Sequence, residues 1–124
     1  MEKLINSANL NLIMGKINLA ITGCMGRMGQ QLIKSAIKDK STKLVALTEN
    51  MLINKKINGI KPELNTEKAL CKANVIIDFT IPKCTFEVLK IAKKLKKKVV
   101  IGTTGFTKKE EDIIKKFSKE IPIL

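Results

Sequence analysis

The sequence predicts an α/β protein, a doubly wound parallel sheet with helices on both faces. Three observations lead there. Short apolar runs alternate with stretches of helical periodicity. The apolar runs are nearly continuous, as in strands buried on both sides. A cluster of glycines follows the first run directly, where a strand would turn into a helix.

Taken in order, Ile17 to Thr22 reads as a buried strand. Gly23 to Gly29 is a glycine-rich turn. A helix from about Arg27 to Ala36 follows, with Met28, Leu32, Ile33 and Ala36 on one face. Leu44 to Leu47 is a second strand, closed by Thr48-Glu49-Asn50. Met51 to Asn65 is polar, contains Gly59 and Pro62, and reads as an irregular connection. Thr66 to Lys72 forms a short helix and Val75 to Phe79 a third strand. Pro82 opens a helix, where its missing N–H costs nothing. Phe86, Leu89, Ala92 and Leu95 share one side of that helix. Val99 to Ile101 is a fourth strand, ending in Gly102-Thr103-Thr104-Gly105. A last helix, about Lys108 to Lys119, puts Ile113, Ile114 and Phe117 on one side. Ile121 to Leu124 reads as the opening of a fifth strand.

Composition narrows the classes. At 124 residues the chain holds one domain, and with four Phe and neither Tyr nor Trp its core must be aliphatic. Its net charge of +13 suggests nucleic acid, but all but one of the 24 basic residues are lysines spread along the chain. Too few aromatics interleave with them to stack bases, so no nucleic-acid partner is assigned. The run Lys93-Lys94 and Lys96 to Lys98 reads as the solvated end of a helix, favourable beside its negative dipole end. Three cysteines without a C-x-x-C pair read as reduced thiols of a cytoplasmic protein. There is no His, and no metal site is read. No apolar run approaches the roughly 18 residues of a membrane span. Residues 1–15 lack a secretory leader and read as a flexible or mis-started extension, with residues 16–124 as the domain.

Gly23-x-x-Gly26-x-x-Gly29 lies between a strand and a helix, the context a dinucleotide-binding fold requires. Gly23 permits the tight turn, Gly26 lets the backbone approach a pyrophosphate, and Gly29 allows close packing of helix on strand. The helix N-terminus offers free N–H groups to phosphates, and Arg27 adds a guanidinium. Glu49 stands 20 residues after Gly29, where an acid takes the adenosine ribose hydroxyls. Ligands in open α/β sheets lie beyond the C-terminal strand ends, so Asp78-Phe79-Thr80 and Gly102-Thr103-Thr104-Gly105 fall on the same side. Small and hydroxylated residues there suit a nicotinamide ribose, with Phe79 as a wall. The domain is therefore Rossmann-like.

GCMGRMG after the first strand, an acid after the second, DFT after VII and VVIGTTGF later in the chain resemble the dihydrodipicolinate reductases of lysine and diaminopimelate biosynthesis. The resemblance covers about residues 16–124. It implies an NAD(P)H-dependent oxidoreductase of two domains that reduces a cyclic imine-type substrate. Gly23, Cys24, Met25, Gly26, Arg27 and Met28 would hold the pyrophosphate and adenosine side, and Glu49 the adenosine ribose. Phe79, Thr80, Gly102, Thr103 and Thr104 would line the nicotinamide side. Asn50 stands where the family often has a basic residue beside a 2′-phosphate, so NADH is expected over NADPH, with Lys55 and Lys56 as the cations that could compensate. Cys24 takes a small-residue position at a helix start, read as packing rather than as an acidified thiol.

The family's histidine-bearing catalytic segment and Pro-Ser-Gly-Thr loop are not in this sequence. The resemblance thus implies a chain truncated before the substrate and tetramerisation domain, with no catalytic residue of its own. It would bind nicotinamide dinucleotide, be inactive alone, and run as a monomer or weak dimer where the full-length family is homotetrameric. The alternatives are the N-terminal domain of another NAD(P)-dependent oxidoreductase, such as an aspartate or sugar-type dehydrogenase, or a non-catalytic nucleotide-binding module. An unstable fragment without activity is the third.

Overall fold

A computed structural model describes residues 16–124; the expectation for residues 1–15 lies outside the described residues. Four strands, β1 (Ile17–Thr22), β2 (Thr42–Thr48), β3 (Val75–Asp78) and β4 (Lys98–Ile101), form one sheet in the order β2-β1-β3-β4. Every pairing is parallel. The helices are α1 (Arg27–Lys38), α2 (Glu67–Leu70), α3 (Pro82–Leu95) and α4 (Lys108–Phe117). The chain winds outward from β1 to β2, then returns to β3 on the other side of β1. The crevice at that reversal opens between the ends of β1 and β3, the usual ligand position in such sheets.

Alternation along the strands divides the core. Leu19 and Ile21 of β1 pack with Leu47 of β2 and with Ile33 and Ala36 of α1. On the opposite face Ala20, Ala46, Ile76 and Val99 meet Val88, Leu89 and Ala92 of α3, with Leu70 and Ile121 closing the cluster. The core is aliphatic, as composition requires, and alanines facing α3 let the helix lie close. Burial of these side chains stabilises each by roughly 1.5–3 kcal/mol for the larger ones. Ile114 and Phe117 of α4 pack partly on the α3 face.

Several expectations shift by a residue or two. The buried stripe of α1 is Gly29, Ile33 and Ala36, while Met28 is 49% exposed. In α3 the buried stripe is Thr85, Val88, Leu89 and Ala92, with Phe86 and Leu95 only partly covered. Thr85 turns inward because its hydroxyl has a buried partner, described below. Ile113 of α4 stays exposed and that helix has no fully buried residue. The connection of residues 51–65 is more ordered than its composition implied. Ile57 and Ile60 exchange backbone hydrogen bonds of 2.8 and 2.9 Å across Asn58 and Gly59, both at positive φ. Such an Asn-Gly pair is a hairpin-turn signal. The short helix at 66–72 is reduced to Glu67–Leu70, with the Thr66 side chain accepting from Ala69 N–H at its start. At the far edge Val99 and Ile101 donate to Pro122 and Leu124 carbonyls at 3.0 and 2.9 Å, so residues 121–124 do lie along β4.

Candidate dinucleotide site

The ends of β1 and β3 touch, and the touch depends on Gly23. Its φ is +63°, a left-handed conformation. A Cβ there would stand 2.7 Å from Phe79 O and 2.9 Å from Thr80 Cγ2. Glycine therefore permits both the turn and the close approach. Gly29 is needed for a related reason: a Cβ would strike Gly23 O and lie 2.9 Å from Cys24 Cα. The sequence assigned Gly29 to helix-on-strand packing; its contact is with the loop's own backbone. Gly102 sits under the ring of Phe79, which fills the space a Cβ would need. Its N–H donates to Asp78 O at 2.8 Å.

A cavity of about 250 Å³ opens at this reversal. Gly23, Gly26, Glu49, Phe79 and Thr80 line it, all of them singled out from the sequence. Asn50, Asn65, Ile81 and Cys84 line it too. The sequence gives Asn50 a place only through cofactor preference and carries no signal for the last three. Asn65 Oδ1 is buried without a hydrogen-bond partner among the described residues.

Glu49 anchors the loop. Its Oε2 accepts the Met25 N–H at 2.9 Å and its Oε1 accepts the Asn50 N–H at 3.0 Å. Each carboxylate oxygen has a second lone pair free for a hydroxyl donor. Met25 is half-buried over the α1 side of the core.

Two helices aim bare N-termini at the cavity. α1 starts at Gly26 with no side-chain cap and no acidic residue in its first turn. α3 starts at Ile81, again without a side-chain cap, with Pro82 in its first turn. By contrast α2 is capped by Thr66, and α4 has a complete capping box between Thr107 and Glu110. Uncapped first-turn N–H groups are unspent donors carrying a partial positive charge, which an anion can take. Arg27 and Met28, the first residues of α1, are exposed at that same start.

Other sequence-chosen residues lie elsewhere. Cys24 is fully buried, and its N–H donates to Thr48 O at 3.1 Å. Burial, reinforced by the Glu49 carboxylate, pushes its thiol up to about 11. This is the packing role rather than a reactive one. Thr103 is buried behind the cavity wall, donating to Asp78 Oδ2 at 3.1 Å and accepting the Thr80 N–H at 2.8 Å. Thr104 is exposed beyond β4. The Cys84 thiol, on the cavity wall, is also raised, by burial and then by the carboxylates of Glu87 and Asp78.

Comparison with known proteins agrees with this geometry. A family model described as "Dihydrodipicolinate reductase, N-terminus" matches residues 17–124. The 4-hydroxy-tetrahydrodipicolinate reductase of Pelagibacter ubique (strain HTCC1062) is 68% identical over 111 residues, covering 90% of this chain and 43% of the relative. The enzyme of the same name from Buchnera aphidicola subsp. Acyrthosiphon pisum (strain Tuc7) is 43% identical over 122 residues, covering 88% and 45%. The chain thus spans less than half the length of these relatives. A dipicolinate-bound dihydrodipicolinate reductase from Paenisporosarcina sp. TG-14 superposes with a TM-score of 0.64 at 26% identity, over 82% of this chain and 43% of that one. D-galactose-1-dehydrogenase from Rhizobium etli, at 21% identity and a TM-score of 0.68 over 86% of this chain and 36% of that one, shares the fold. Because the family model matches the described fold from its first strand to its last residue, the chain belongs to the dihydrodipicolinate reductase N-terminal family.

Proposed function

We propose that this chain is the cofactor-binding part of a 4-hydroxy-tetrahydrodipicolinate reductase and binds a nicotinamide dinucleotide in the cavity between β1 and β3. The observation that carries this is the pairing of uncapped helix starts with a carboxylate that keeps one free lone pair on each oxygen. The residues suit the ligand. The loop of residues 23–28 and the first turn of α1 offer N–H donors to a diphosphate. Gly26 faces the cavity without a Cβ that would hold it away. Glu49 can accept two ribose hydroxyls while its other lone pairs hold the loop. Phe79 walls the nicotinamide side with Thr80 beside it, while Gly102 packs against the Phe79 ring and Thr103 holds the Thr80 N–H from behind the wall.

When bound, the nicotinamide supplies the hydride; the protein supplies position and electrostatics. This chain would orient the ring at the open side of the cavity and hold the loop still while the transfer occurs. The substrate, a cyclic imine, would be bound by the portion of the family's length that this chain does not span, and tetramer formation would depend on it too. The chain alone is assigned a monomeric or weakly dimeric state, a cytoplasmic location and no nucleic-acid partner. The family match favours this reading over another dehydrogenase with the same fold.

NADH is assigned over NADPH. A 2′-phosphate would stand beside the Glu49 carboxylate, and residue 50 is an Asn with no charge to offset the repulsion. Titration of the chain with NADH and NADPH, followed by nicotinamide fluorescence, tests both statements. Saturable NADH binding with weaker NADPH is expected. Tighter NADPH binding sinks the preference, and no binding of either sinks the cofactor assignment.

A further inference from the structure

Asp78 ends β3 fully buried, and hydroxyl groups hold its carboxylate. Oδ1 accepts from Thr22 Oγ1 at 2.5 Å and Thr80 Oγ1 at 2.9 Å. Oδ2 accepts from Thr85 Oγ1 at 2.5 Å and Thr103 Oγ1 at 3.1 Å. A carboxylate offers about four lone-pair sites and no donor, so this set saturates it. The four threonines come from four places: the end of β1, the segment after β3, the second turn of α3 and the segment after β4. Three of them, the end of β1, the segment after β3 and the start of α3, adjoin residues that line the cavity; the segment after β4 lies behind its wall. The network also fixes direction. Each hydroxyl has one proton, and for all four the shortest acceptor is an Asp78 oxygen. Thr103 Oγ1 then uses a lone pair to accept the Thr80 N–H at 2.8 Å. A buried carboxylate without a cation is costly unless fully hydrogen-bonded. A neutral side chain of the same size would fill the space at lower cost, so packing alone does not account for an acid here.

We propose that Asp78 is a positioning residue of the dinucleotide site: it draws the Thr80 hydroxyl proton inward and, through Thr103, pins the Phe79–Thr80 main chain to the end of β4. Thr80 then meets the cavity as a hydrogen-bond acceptor. It selects a donor from the ligand, a ribose hydroxyl or a carboxamide N–H, and disfavours a phosphate oxygen. This rests on reading the cavity as the cofactor site with Phe79 and Thr80 on its nicotinamide side.

Asp78→Asn tests it. The amide keeps the shape but turns one accepting oxygen into a donor, which forces two threonine hydroxyls to reverse. Thr22 and Thr80 have fallback acceptors in the carbonyls of Ile77 and Ile81, both at 3.4 Å, so the fold has a way to adapt. The full chain and the variant are titrated calorimetrically with NADH and, separately, with ADP, which carries only the adenosine diphosphate half. NADH binding is expected to weaken at least about tenfold, the scale of one well-placed hydrogen bond, while ADP binding stays within about twofold. A purely structural role would move both ligands together or neither, and either result overturns the proposal. NADH binding no tighter than ADP on the unsubstituted chain also overturns it, because no contact on the Thr80 side would then exist to lose. Failure of ADP to bind the unsubstituted chain refutes the cofactor reading itself, which separates the two failures. If Asp78→Asn does not fold, Thr103→Val removes the oxygen that holds the Thr80 N–H, and Thr103→Ser restores it. The same NADH-specific loss with Val and recovery with Ser is expected; unchanged NADH affinity in Thr103→Val overturns the proposal.

Discussion

Replacing Gly23 by alanine should be among the most damaging single-methyl changes available to this fold. Two costs add. The residue sits at φ +63°, where an L side chain costs roughly 1–2 kcal/mol. The added Cβ would also lie 2.7 Å from the Phe79 carbonyl oxygen, a backbone atom with little room to yield, and 2.9 Å from Thr80 Cγ2. Overpacking of that kind costs about 1–3 kcal/mol. Together the substitution should destabilise by about 2–5 kcal/mol. At about 4 °C per kcal/mol for a domain of this size, that is a fall in Tm of roughly 8–20 °C. Gly59→Ala provides the control. Its φ of +77° is equally unsuited to a side chain, yet nothing lies within 4 Å of the new Cβ. It should show the conformational cost alone, roughly 1–2 kcal/mol. Urea melts of the chain and both variants measure the difference. The reasoning is refuted if the two variants lose the same stability, for then the contact between the ends of β1 and β3 contributes nothing.

Four further outcomes are expected. Glu49→Gln removes the charge but keeps the shape; NADH affinity should drop about tenfold or more by titration, and an unchanged value would deny Glu49 a role at the ribose. Asn50→Arg should raise NADPH affinity by about tenfold relative to NADH, and no change in that ratio would mean a 2′-phosphate is held elsewhere. Thr107→Ala breaks the capping box of α4, with a stability loss of about 1 kcal/mol and no effect on NADH binding; a change in NADH affinity would tie α4 to the site. With its thiol raised to about 11, Cys24 is about one part in a thousand thiolate at pH 8. Exposed Cys71 should react with a thiol reagent in the native chain and Cys24 only after unfolding; native labelling of Cys24, mapped by peptide mass, would show that the loop opens.

Much of this was legible in the sequence because it rests on local rules. The four strands are apolar runs closed by polar residues, and β1 and the start of α1 fall where the glycine pattern puts them. Glu49 could be placed by spacing, since β2 must run beside β1 and end level with it. The tie around Asp78 could not. Its threonines stand at positions 22, 80, 85 and 103, and each alone looks like ordinary turn or cap chemistry. Only the parallel register, which sets Thr22 opposite Asp78 and Asp78 opposite Ile101, brings them together. Ile81 and Cys84 reach the cavity because Pro82 starts α3 immediately after the strand. Pro82 marks the helix start in the sequence, but nothing in the sequence points its neighbours at a cavity. The Asn58-Gly59 dipeptide is a hairpin-turn signal, masked in the sequence by the polar residues that surround it. In α1, counting apolar residues misled, because the residue that packs closest is Gly29, which no hydrophobic pattern would select.

The unadorned beginning of α1 carries a lesson for anyone trying to toughen this protein. Exchanging Gly26 for aspartate or serine, a standard route to a sturdier helix, would gain only a few tenths of a kcal/mol by handing the first turn an internal acceptor. The same oxygen would occupy the seat that a diphosphate needs, and aspartate would add repulsion to it. Heat resistance and ligand affinity should therefore move in opposite directions at this one position, and a library selected only for survival at high temperature should drift towards chains that no longer hold a nucleotide.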